Sequence, residues 1–139
     1  MRSHYYPAIR LSLGQRLSAR RLASAMIDLS DGLSTDLSRL CAASGVGARL
    51  WLNHLPGVHV PSALRERRID PVRCALHGGD DYELLFTVPR RVAARVPGQL
   101  QGVRITQIGE ITRAKEILTV DAKGRTSPLH PLGWDHFRK

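Results

Sequence analysis

A single α+β domain is the fold class this sequence predicts, and three observations predict it. The chain has 139 residues, a length that fits one domain with a real core and leaves little room for two. Helical and strand signals alternate along it, and no Ser/Pro-rich linker or internal repeat interrupts them. Hydrophobic residues make up 42% and charged residues 24%, ordinary globular values that exclude wholesale disorder and collagen-like or coiled-coil architectures.

The elements follow in order. Leu17 to Met26 reads as an amphipathic helix, with Leu17, Leu22, Ala25 and Met26 on one face and Arg16, Arg20 and Arg21 outward. Met1 to Ile27 holds no acidic residue and superficially fits a transit peptide, but it runs without a cleavable linker into an acidic motif. Leu33, Leu37, Leu40 and Cys41 mark a second helix, with Ser30 or Asp31 as its N-cap and Gly45 as its C-terminal stop. Arg49 to Leu52 is a strand. Pro61 opens a short helix through about Arg68, and Pro71 to His77 forms another that stops at Gly78 and Gly79. Tyr82 to Val88 is the clearest strand. A helix from about Arg90 to Val96 follows, then strands at Arg104 to Ile111 and Glu116 to Asp121, with Lys123 and Gly124 turning the chain. The tail carries Trp134 and Phe137 without periodicity, as loop aromatics that lock a terminus or cover a ligand.

Charge separates the chemistry from the background. The 21 Lys+Arg against 12 Asp+Glu give +9, which favours a polyanionic partner without choosing one. Arginines gather near the start (Arg2, Arg10, Arg16, Arg20, Arg21), and solvated helix faces in an arginine-biased sequence account for part of the excess. Aromatics at 5% give no stacking platform and no nucleic-acid motif accompanies the charge, so nucleic acid is not expected as a partner. No apolar run reaches the roughly 18 residues of a membrane span, so no membrane partner is expected. Cys41 and Cys74 stand in no metal-ligand spacing, and the six histidines show no HxxxH or HxH pattern. These are the marks of a reduced cytoplasmic protein.

The minority charge is concentrated. Six of the twelve carboxylates fall in two short windows, Asp28, Asp31, Asp36 and Asp80, Asp81, Glu83. Two carboxylates and the Ser30 hydroxyl within four residues, at a helix start, suit a hard cation such as Mg²⁺ and the phosphate it accompanies. The plainer alternative is an N-cap and a turn. In the second window Gly78 and Gly79 allow close backbone approach, and Asp80 and Asp81 precede a buried strand, where unpaired carboxylates are costly. Its alternative is a turn with Asp80 as cap and Asp81 paired to an arginine. P-loop, dinucleotide and hydrolase-elbow motifs are absent.

Five stretches in register, Ile27-Asp28-Leu29-Ser30-Asp31-Gly32-Leu33, Ala42 to Ala48, Gly78-Gly79-Asp80-Asp81-Tyr82-Glu83-Leu84, Ile108-Gly109 and Gly133-Trp134-Asp135-His136-Phe137, together resemble the thiamine-monophosphate kinase family. The resemblance runs from about Pro7 to Phe137 and covers only the C-terminal domain of that two-domain family, a member of the aminoimidazole ribonucleotide synthetase superfamily. It implies a three-layer α/β/α arrangement around a mixed sheet. It also implies transfer of the γ-phosphoryl of ATP to thiamine monophosphate with Mg²⁺ and no covalent nucleophile, a reaction that needs positioning and charge neutralisation. By that resemblance Asp28 and Asp31 are Mg²⁺ ligands, Ser30 contacts ATP, and Asp80 and Trp134 contact the thiamine substrate, with Asp81 supporting the turn. Asp80 stands where the family usually has Glu, one methylene longer. The family's N-terminal domain carries most of its metal-binding aspartates, and its site forms between domains, usually in a homodimer. Residues 1–139 are therefore expected to be a single C-terminal domain that is inactive alone, the alternative being a non-catalytic ligand-binding or dimerisation module.

Overall fold

In the computed structural model, residues 7–57 and 69–133 are described. Three helices, α1 (Leu11–Ala19), α2 (Leu33–Ser44) and α3 (Pro71–His77), accompany strands β1 (Ala25–Asp28), β2 (Gly47–Trp51), β3 (Leu84–Thr87), β4 (Gln99–Leu100), β5 (Val103–Arg104), β6 (Gly109–Thr112), β7 (Ile117–Val120) and β8 (Thr126–Pro128). The α+β class is the one expected, and the largest sheet is mixed. Its order is β6-β2-β7-β8, with β2 parallel to β7 and antiparallel to β6. β1 and β3 form an antiparallel ribbon that pairs Asp28 with Leu84, and β4 with β5 closes a small hairpin.

The ribbon divides two apolar cores, because successive strand residues face opposite sides. Leu85 packs toward Leu33, Leu37, Cys41, Ala48, Leu50, Leu76 and Leu129, the core under α2 and α3. Leu84 and Phe86 pack toward Leu13, Leu17 and Leu22, the core under α1. Helices therefore cover both faces of the ribbon, and Asp28 stands at the end of its first strand.

Some elements differ from the sequence reading. The first helix ends at Ala19, and Ala25 and Met26 belong to β1 instead. Leu17 and Leu22 are buried as expected, but Arg21 at φ 51° turns the chain between them. Periodicity over ten residues could not register that reversal. The stretch Arg90–Arg95 is 3₁₀ rather than α, preceded by Pro89, and Val92 and Val96 reach the second core. The strand expected over Arg104 to Ile111 divides into β5 and β6, and β4 and β8 carry too little alternation to be seen in sequence. α2 ends as expected, with Gly45 left-handed at φ 66°. α3 opens on Pro71 with the Asp70 carboxylate accepting the Val72 N–H. At the β7–β8 turn the Asp121 carboxylate accepts the N–H groups of Lys123 and Arg125, and Gly124 takes φ 78°. The helix expected from Pro61 lies outside the described residues.

Candidate functional site

Three segments distant in sequence converge at the N-terminal end of α2. The first is the loop from Asp28 to Gly32. Gly32, not Ser30 or Asp31, occupies the N-cap of α2, with φ 101° and no side-chain capping bond. The expected cap is displaced because a carboxylate inside the helix does the holding. Asp36, 1% exposed, accepts the backbone N–H of Ser30 at 3.1 Å and of Asp31 at 3.0 Å through one oxygen. Its other oxygen accepts from Arg39 at 2.9 Å. The same Arg39 nitrogen donates to the Asp31 carboxylate at 2.5 Å, so one guanidinium bridges two acids. Those carboxylates push the Arg39 guanidinium above its already high ordinary value, led by the hydrogen bond to Asp31. Two N–H groups available in principle to a phosphate are thus engaged by Asp36.

The second segment is Gly78 to Glu83. The N–H of Asp80 donates to the Ser30 carbonyl at 2.9 Å, that of Tyr82 to the Leu29 carbonyl at 2.8 Å, and that of Leu29 to the Glu83 carbonyl. The loop continues the β1–β3 pairing beyond the ribbon, which presses Gly79 against the Ser30 carbonyl. Asp80 and Tyr82 both take positive φ, 63° and 50°, a strained backbone for residues with side chains. The Tyr82 hydroxyl donates to Asp80 at 3.1 Å, and this bond, followed by the Asp80 charge, raises the phenol above its ordinary range. Burial, then the charges of Glu83 and Asp80, raise Asp81 above the usual carboxylate range. Among the described residues no cation pairs with Asp81, so the arginine partner considered for it is not found there. Glu83, which the strand pattern left free to face solvent, is gripped by Arg10 through two bonds of 2.9 and 2.6 Å.

The third segment, residues 131–133, lies against α2. The N–H of Leu132 reaches the Ser34 hydroxyl at 3.4 Å and that of Gly133 reaches Thr35 at 3.2 Å, while Gly133 rests on the Asp31 carbonyl. Trp134 lies outside the described residues. Ser34, fully buried, is 2.8 Å from His77 Nδ1. Burial, followed by the Arg73 charge, lowers His77 below the ordinary imidazole value of 6.5. The Ser34 hydroxyl thus shares a hydrogen bond with His77 Nδ1 and accepts another from the Leu132 N–H. The unfolded imidazole binds its proton at higher pH than the folded one, so stability is held above pH 6.5 and lost as pH falls through the lowered value. A Tm series from pH 8 to 5 is expected to fall at the acid end, with a shallower fall in His77→Gln.

Beside these segments opens a cleft of about 770 Å³ whose lining includes Ile9, Arg10, Leu11, Met26, Asp28, Tyr82 and Glu83. Ile9 is 85% exposed and Leu11 66%, so its apolar wall is open to solvent. Asp28 is exposed at the cleft, Ser30 half-buried, and Asp31 buried against Arg39. Asp80 is exposed on the strained loop. The structure therefore brings the Asp28–Asp31 loop and the Asp80 loop together through backbone bonds, with Asp28 and Asp31 in different surroundings.

No group of three or more His, Cys, Asp or Glu side chains gathers as a metal cage among the described residues. A donor set of Asp28 and Asp31 nevertheless fits Mg²⁺, which keeps several waters and phosphate oxygens and uses one or two carboxylates. The Arg39 guanidinium on Asp31 already stands in for a cation there. Sequence reasoning counted Asp36 in the first acidic window without giving it a role, and it missed Arg39, Ser34 and His77 as parts of this arrangement. A signal for Asp36 was present: it falls three residues after Leu33 and four before Leu40, a carboxylate on the apolar face of its helix.

No helix among the described residues is long and apolar enough to cross a membrane. Comparison with known proteins matches residues 8–121 to the family of AIR synthase related protein, C-terminal domain. The thiamine-monophosphate kinase of Escherichia coli (strain K12) is 42% identical over 142 residues, covering 99% of this chain and 42% of that protein. That of Pyrococcus abyssi is 32% identical, covering 94% and 39%. Among solved structures, AaThiL complexed with AMPPCP and TMP aligns with TM-score 0.76 at 28% identity, over 98% of this chain and 40% of that one. The thiamine-monophosphate kinase from Stenotrophomonas maltophilia K279a aligns with TM-score 0.69 at 36% identity, over 87% and 37%. The chain thus spans about two fifths of the length of the relatives it matches. With the matched segment running from the cleft wall through both acidic loops to β7, the chain belongs to the AIR synthase related protein family, as its C-terminal domain.

Proposed function

We propose that these residues are a C-terminal domain of a thiamine-monophosphate kinase, serving ATP-dependent conversion of thiamine monophosphate to thiamine diphosphate in the cytoplasm. The observation that carries this reading is the joining of the Asp28–Gly32 and Gly78–Glu83 loops by main-chain bonds at one end of α2, with Gly133 resting on the same loop. The likeness to relatives of that name, and to AaThiL complexed with AMPPCP and TMP, supports the choice of reaction.

In this reading Asp28 and Asp31 hold Mg²⁺, Ser30 contacts ATP, and Asp80 and Trp134 contact the thiamine phosphate. Mg²⁺, when bound, neutralises charge on the transferring phosphoryl group. The chain's own part is to position. Asp36, by accepting the Ser30 and Asp31 N–H groups, holds in one conformation the loop that carries the Ser30 hydroxyl and the Asp31 carboxylate. The apolar wall of Ile9, Leu11 and Met26 has the chemistry to hold a ring-bearing group. Arg10 restrains Glu83 and thereby the start of β3. No side chain is needed as a covalent nucleophile, since in-line transfer depends on alignment.

Two carboxylates are a small share of what phosphoryl transfer demands, and the remaining three fifths of the relatives' length supplies the rest, in a homodimer. The 139 residues alone are expected to form no thiamine diphosphate from ATP, Mg²⁺ and thiamine monophosphate. Replacing the corresponding segment of the Escherichia coli relative with this chain is expected to give an active chimaera, and Asp31→Asn in it to lower turnover on the order of a hundredfold. Turnover by the 139 residues alone overturns the division of labour. An inactive but folded chimaera overturns the kinase reading and favours a non-catalytic binding module.

A further inference from the structure

The Asp31–Arg39–Asp36 triad has a property that the proposed reaction does not require. Asp31 and Asp36 are both buried, at 9% and 1% exposure, yet the cation between them comes from a surface side chain that is 51% exposed. One terminal nitrogen of Arg39 serves both acids, at 2.5 and 2.9 Å. The two acids are not equivalent. Asp36 also has two backbone N–H donors, whereas Arg39 is the cation found on Asp31 among the described residues. A divalent cation arriving at Asp31 meets a guanidinium already on its carboxylate, and like charges at that distance repel.

We propose that Arg39 is a resident counter-cation that a divalent metal must displace from Asp31, and that Asp36 keeps it at hand. The proposal rests on Asp31 being a metal ligand, and it adds how that ligand is held before the metal arrives. Without metal, Arg39 neutralises Asp31, so the loop does not carry an uncompensated buried charge. With metal, Arg39 gives up Asp31 and keeps Asp36, with its head group already half in water. The device sets the metal affinity of this loop lower than its carboxylates alone would give.

Titration of the ¹⁵N-labelled 139-residue chain with Mg²⁺ alone, followed at the Ser30 and Asp31 amides, tests this. Arg39→Gln removes the competing charge from a half-exposed position and is expected to tighten Mg²⁺ about two- to fivefold, the range that one partly exposed charge contributes. Arg39→Lys restores a cation and is expected to return affinity to within about twofold of the original. A merely structural arginine predicts the opposite, weaker binding in Arg39→Gln as the loop loosens. Unchanged or weaker binding in Arg39→Gln overturns the proposal, and the metal reading survives that result if Asp31→Asn abolishes the response. Should Mg²⁺ perturb these amides only in Arg39→Gln, the displacement idea holds in its strongest form. A response in neither protein overturns both the displacement and the assignment of Asp31 to metal.

Discussion

Asp36→Ala is expected to destabilise the domain by about 2–4 kcal/mol, chiefly because two main-chain N–H groups lose their acceptor, the half-exposed Arg39 being able to keep Asp31 and water. The substitution removes more than one interaction. The N–H groups of Ser30 and Asp31 lose their acceptor, Arg39 is left with Asp31 alone, and a small void opens in a helix face packed between Leu33, Leu37 and Leu40. At about 2–4 °C per kcal/mol for a domain near this size, Tm falls on the order of 10 °C. Thermal unfolding by circular dichroism measures it, and amide exchange at residues 29–32 shows whether the loop opens ahead of the whole. A loss under 1 kcal/mol, with those amides still protected, contradicts the role given to Asp36.

Gly32→Ala is expected to cost about 2–4 kcal/mol and to separate the two acidic loops. Two causes add. The backbone at φ 101° and ψ 149° is one that a residue with a Cβ adopts only under strain. A methyl there would also stand 2.8 Å from the Gly78 carbonyl oxygen, close to the main chain of His77 as well, and backbone atoms cannot step aside as a flexible side chain does. Relief requires the Gly78–Glu83 loop to move, and with it the bonds from Asp80 to Ser30 and from Tyr82 to Leu29. A chimaera carrying Gly32→Ala is therefore expected to lose thiamine diphosphate formation by more than its loss of stability explains. Gly45→Ala serves as the comparison: its φ of 66° is also positive, but the space around it is open, so it strains the chain without moving the loops. Equal effects of the two substitutions on activity count against the close approach as the reason for the glycine.

The other loops give up less to local substitution, because their strain is spread over side chains that hold one another. Asp80 and Tyr82 both keep positive φ, and their mutual hydrogen bond, with main-chain bonds to Ser30 and Leu29, offsets part of that cost. Asp81 remains without a cation among the described residues and is pushed up by burial and by two neighbouring carboxylates.

What the sequence determined by itself was local or carried by repeated pattern. The helix from Leu33, its stop at Gly45, the proline-started helix at Pro71 and the strand through Leu84–Thr87 rest on periodicity, capping and turn chemistry within a few residues. The concentration of carboxylates in two windows marked the loops that meet, since a chain of net charge +9 has few acids to place. What only the tertiary structure decided is which partners complete each charge. The N-cap moved from Ser30 or Asp31 to Gly32 because Asp36 satisfies the loop from inside the helix. Met26 left its expected helix because β1 pairs with β3, some sixty residues away in sequence. Glu83 gained Arg10 across a similar separation. Helical and strand periods report which face of an element is apolar, whereas a pair such as Arg10 and Glu83 depends on folding to bring distant segments within 3 Å. For that reason the two acidic windows were legible in one dimension and the Arg10–Glu83 pair was not, while Asp36 and Arg39, three residues apart on one helix, were within reach of the sequence.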